Sequence, residues 1–81
     1  MIDMETAFFE LLEPESPSVA VLGEGRLRTL AERLAATARD AVSGILLPGE
    51  CDIEMRRIMR GSGYPWELAA PAARRMVEHI E

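Results

Sequence analysis

Two glycines, Gly23 and Gly25, stand inside VAVLGEGRLRTLAERLA (residues 19–35). An apolar run, a tight glycine turn and a helix in that order could rest a dinucleotide's pyrophosphate on the helix N-terminus. A second apolar run (45–47) and Glu50 follow where a second strand and a ribose-binding carboxylate would fall. That chemistry needs a third small residue, so that helix and strand pack closely. The third position is Arg28, whose guanidinium cannot do this. A two-stranded parallel sheet would also lack the helices and neighbouring strands that bury one. The sequence therefore predicts no nucleotide site and no other cofactor. Residues 18–22 are expected to begin or abut a helix, with Ser16 or Ser18 capping and Pro17 at an early position.

Cys51, Asp52, Glu54 and His79 are the groups a divalent metal would use. Their spacing does not gather them, because Asp52 and Glu54, two apart, face different sides of a helix. A single cysteine excludes an internal disulfide framework and a paired-cysteine metal site. On an apolar stripe Cys51 reads as a small buried hydrophobe, and His79 suits the C-terminal dipole of the last helix. One histidine builds no convincing catalytic triad. The expectation is no metal, no catalytic residue, no small-molecule ligand and no enzyme.

What remains is the chemistry of recognition. GSGYPWELAAP (61–71) holds the only tyrosine and the only tryptophan, Tyr64 and Trp66. With arginine, these types are enriched at interface hot spots. Arg56, Arg57 and Arg60 share one short helix. AFFELLEPESP (7–17) reads either as the first helix of a core or as an acidic docking helix, with Phe8, Leu11 and Leu12 as anchors in a partner's groove. Phe9 lies off the apolar stripe of that helix and suggests a second contact. The candidate partner-binding residues are Phe8, Phe9, Leu12, Arg56, Arg57, Arg60, Tyr64 and Trp66.

Charge is unevenly spread. Residues 1–25 carry six carboxylates and no base; residues 55–75 carry five arginines against Glu67. The two regions either attract one another within the fold or recognise something outside it. The arginine helix could hold phosphates, as in a helix-turn-helix. A net charge of −5 argues against nucleic acid, whose affinity comes from phosphate neutralisation.

The elements that position these residues read as helices. Asp3 can cap a helix with the stripe Met4, Ala7, Phe8, Leu11 and Leu12, stopped by Pro14. From Gly25 to Ser43, Leu27, Leu30, Ala31, Leu34, Ala38, Ala41 and Val42 share one face, and Gly44 is a candidate C-terminal cap. A shorter helix, 51–60, has Cys51, Met55, Ile58 and Met59 inward. Pro65 suits a first helical position, and Pro71 is expected to kink that segment or start a new helix over 71–80. The fold class is all-α: one small domain, residues 1–81, built as a compact bundle of about four helices around one long central helix.

Aromatic residues are 5% of the chain, so the core must be aliphatic. Lysine, asparagine and glutamine are absent, which points to a GC-rich bacterial or phage genome. No apolar run approaches a membrane span, and the acidic start is unlike a targeting peptide, so the expected location is the cytoplasm. The expected function is a small regulatory protein that binds and occludes a partner protein, as an inhibitor, antitoxin or chaperone does. It would associate with itself, with another protein, or with both. The competing readings are a small DNA- or RNA-binding regulator and an accessory subunit of a larger enzyme.

Overall fold

Asp3 opens the first helix as its position predicts. The structure, a computed structural model, describes residues 3–80. In it Asp3 Oδ1 accepts the Thr6 N–H at 2.8 Å, and helix α1 runs Met4–Leu11. The Thr6 hydrogen bonds hold the Asp3 carboxyl below its ordinary range. Glu13 then turns into the left-handed region, with φ of 55°. Pro14, which has no N–H, follows and ends the segment.

Residues 17–20 form a short separate helix, α2 (Pro17–Ala20), with Pro17 at its start. It abuts the long helix and does not begin it. Neither serine caps it by a side-chain bond: the Ser16 and Ser18 hydroxyls face each other at 3.3 Å. The long helix, α3, is Glu24–Val42. Gly23 precedes it with φ 88° and ψ 147°, a conformation open almost only to glycine, while Gly25 is inside the helix. The two glycines therefore do opposite things. Neither has a neighbour within 4 Å of an added Cβ, so only backbone terms decide. Gly23→Ala should destabilise by about 1–2 kcal/mol, and Gly25→Ala should stabilise by about 0.5–1 kcal/mol. Paired urea melts check this; equal effects would exclude the assignment.

Helix α4 is Pro48–Gly61 and helix α5 is Trp66–Ile80. Both helix exits that flank α4 use a left-handed glycine. After α3, Gly44 (φ 84°) donates to Ala41 O and Ile45 to Asp40 O. After α4, Gly63 (φ 84°) donates to Arg60 O and Tyr64 to Met59 O. Both are Schellman turns, which satisfy the last carbonyls of a helix. At the second turn Tyr64 and Met59 are both buried. At the first the partner position is Asp40, and Ile45 stays 71% exposed.

Pro71 does not start a new helix; α5 runs through it from Trp66 to Ile80. Its missing N–H leaves the Glu67 carbonyl without a helical donor. Both residues are exposed, so that carbonyl faces water rather than the core. On the other side of α5, Ala69, Ala72, Ala73 and Met76 are buried and hold the helix together.

The chain is all-α, and there is no strand among the described residues. Helix α1 packs on α3, α3 on α4 and α4 on α5, while α5 also touches α1. The core is aliphatic, as composition requires: Leu12, Leu27, Leu30, Leu34, Met55, Met59 and Met76 are buried around Phe8. Val42 departs from expectation and is 66% exposed. Arg39 bonds Glu5 of α1, and Ala41 is still packed against the core while Val42 is not.

Candidate protein-binding surfaces

The eight candidate contacts separate into two groups. Phe8, Leu12 and Tyr64 are core residues, and this corrects the reading of them as partner contacts. Phe8 and Leu12 expose nothing and Tyr64 exposes 4%. Phe8 meets the His79 ring edge-on, with centroids 5.9 Å apart. The Tyr64 hydroxyl donates to the Leu12 carbonyl oxygen at 2.8 Å. Tyr64 thus ties the start of α5 to the end of α1, and burial pushes its pKa up to about 12, with a smaller push from the Glu13 charge. The free docking-helix reading of 7–17 loses its anchors, since Phe8 and Leu12 are already spent on the protein's own core.

The other five lie at the surface. Phe9 is half-buried, with the Arg28 guanidinium 4.3 Å above its ring. Arg28 is held there by Glu24, at 3.0 Å. Arg56 pairs with Asp52 and Arg57 with Glu54, each at 3.2 Å within α4. Arg60 is exposed and has no ion pair among the described residues. Trp66 is 74% exposed at the first position of α5; it does not plug the core.

Trp66 has company at its end of the bundle. Leu22 lies against Gly63, 3.5 Å from where a Cβ would sit. Its neighbour Val21 is 81% exposed. A groove of about 480 Å³ lined by Arg26, Thr29, Leu30 and residues 61–63 opens there. Sequence periodicity missed Val21, because an apolar residue in a short turn looks like core. It also missed Ile45 and Leu47 (71% and 66% exposed), which sit in the α3–α4 connection with no helix over them.

The groups weighed for metal binding are used otherwise. Cys51 is buried, and burial, then the Asp52 charge, raises its thiol pKa. Asp52 is paired with Arg56, and no cluster of metal-ligating side chains occurs among the described residues. No described helix is long and apolar enough to cross a membrane. Comparison with family profiles, curated proteins and solved structures gives no match.

Proposed function

We propose that this protein is a non-enzymatic regulator that acts by binding another protein and covering a surface its target needs. The observation that carries the reading is Trp66: the chain's only tryptophan stands 74% exposed on a rigid mount. The mount is the Schellman turn and the buried Tyr64, two residues before it. A large, stiff aromatic body held outside the core is the usual anchor of a protein interface. Arg26 lines the groove beside residues 61–63, and its forked donors suit a carboxylate rim. The site of action is the cytoplasm, consistent with a lone cysteine that is buried and unpaired. Inhibitor, antitoxin and chaperone roles, in a bacterium or phage, all fit this mode of action. A protein target is favoured over nucleic acid because two of the three arginines of α4 are engaged by carboxylates of the same helix. The net charge of −5 works in the same direction.

The test compares the wild type with Trp66→Ala against a target captured and identified with the wild type. The exposed change should leave the melting curve unaltered. Binding should weaken at least tenfold, about 1.4 kcal/mol. A target held as tightly by Trp66→Ala would overturn the reading, and so would steep binding to a DNA or RNA duplex that falls with salt.

A further inference from the structure

Helix α3 is 19 residues long and is covered on one side only. Leu27, Leu30, Ala31, Leu34 and Ala38 are buried where α1 and α4 pack on it. On its outer side Arg26, Thr29, Arg33, Ala36 and Asp40 follow one another three and four residues apart, and all are exposed. That is the spacing of a helix–helix seam. Arg26, Arg33 and Asp40 take part in none of the ion pairs among the described residues. The two arginines of α3 on its α1 side are both paired, Arg28 with Glu24 and Arg39 with Glu5.

Arg33 and Asp40 are unlike charges in one column of this seam. Seven residues span about 10 Å along a helix, so the two side chains do not pair within α3. They can pair across a two-fold axis. A second α3, laid antiparallel on the first with the axis just past Ala36, sets Arg33 of each copy opposite Asp40 of the other. The residue nearest the axis is then the smallest of the seam, and facing alanines let two helices approach to about 8 Å, the short end of the usual range. Antiparallel helix dipoles add to the attraction. The alternatives are worse: a parallel pairing in register sets each charge against its own kind, and an axis at Arg33 sets two guanidiniums together. Thr29 and Gly44 form the next symmetric pair. Ile45, which follows Gly44 and is 71% exposed, therefore gains cover from the start of the other copy's α3.

We infer that the outer face of α3 is a dimer seam, on which two copies of this chain pair antiparallel through Ala36 and two reciprocal Arg33–Asp40 ion pairs. The same patch serves both copies, so the contact closes at two and does not propagate. It uses no residue of α5 and stands apart from the target-binding reading.

Sedimentation equilibrium on charge-swapped variants tests it. The wild type should be a dimer in equilibrium with monomer. Arg33→Glu sets carboxylates face to face and Asp40→Arg sets guanidiniums face to face, so each alone should associate about tenfold more weakly. The double variant Arg33→Glu/Asp40→Arg should recover, because both pairs are merely reversed. An equimolar mixture of the two single variants should recover as well, as a mixed dimer. Ala36→Glu, which meets its own copy at the axis, should weaken association without any change at the ion pairs. All three positions are exposed, and unchanged circular dichroism confirms that the variants fold. Trp66→Ala should leave the dimer unaltered. A wild type that stays monomeric at millimolar concentration, or one that forms species larger than a dimer, would overturn the inference. So would single variants that associate like the wild type, or a failure of both the double variant and the mixture to recover.

Discussion

Replacing Phe8 with alanine should remove about 3–5 kcal/mol of folding stability. Phe8 heads the fully buried side chains by volume and exposes nothing. It is the point where α1 meets the interior, and its ring also carries the edge-on contact with His79 of α5. Truncation removes the ring's transfer free energy and leaves a cavity among methionines and leucines that cannot fully collapse. A chain of this length holds roughly 4–12 kcal/mol in total at about 0.05–0.15 kcal/mol per residue. The loss is thus a large share of everything that keeps it folded. The neighbouring change Phe9→Ala is the control. Phe9 is half-buried and makes a cation–π contact with Arg28 that contributes about 0.5–1 kcal/mol. Urea melts of the two variants should show midpoints far apart with similar slopes. A Phe8→Ala loss no larger than that of Phe9→Ala would mean that α1 does not face inward by its Phe8 side.

The contrast between these adjacent phenylalanines was readable in advance, because it depends on one periodicity. Met4, Ala7, Phe8, Leu11 and Leu12 repeat at helical spacing and Phe9 does not. The same logic placed Leu27, Leu30, Ala31, Leu34 and Ala38 inside α3, where all are buried. Periodicity assigns a face but not where the covering element stops. Val42 was read onto the buried face and is 66% exposed, one residue past Ala41, which still packs on the core. Propensity likewise read Pro71 as a kink or as the start of a new helix, and the new start did not occur. It did not weigh four buried residues, Ala69, Ala72, Ala73 and Met76, against one lost hydrogen bond on the wet side of α5. Tyr64 was the harder case. Beside Trp66 and between a glycine turn and a proline it has the composition of an exposed loop. Only the fold shows that it is the buried closing residue of a Schellman turn, with its hydroxyl aimed at a carbonyl 52 positions away. Of the candidate contacts, those set by local exposure on a helix surface, Arg56, Arg57, Arg60 and Trp66, stayed outside. Tyr64, whose burial depends on a distant partner, could not be told from them by sequence.

That distant partnership makes Tyr64 a pH-sensitive lock at the alkaline end. In the folded chain its hydroxyl must keep its proton, because it donates to the Leu12 carbonyl and because phenolate would be buried. The folded pKa of about 12 lies above the ordinary tyrosine value of about 10. The neutral form is therefore the one that folding favours. Its stabilisation is complete below about pH 10 and is lost as pH rises through about 12. Across that window the loss amounts to about 2–3 kcal/mol, two pH units of linkage. Tyr64 is the only tyrosine, so tyrosinate absorbance reports this one group without interference. The native protein should titrate near 12 and the urea-unfolded chain near 10. Tyr64→Phe should show two consequences together. At neutral pH it leaves the Leu12 carbonyl without its donor in a dry place, at about 1–3 kcal/mol. Between pH 10 and 12 its stability should fall less steeply than that of the wild type, because the Tyr64 contribution is gone and only the buried Cys51 thiol remains raised. A native tyrosine that titrates at its ordinary value would show that the ring is wet and the bond to Leu12 unmade. In that case the Tyr64→Phe change would be nearly silent at neutral pH.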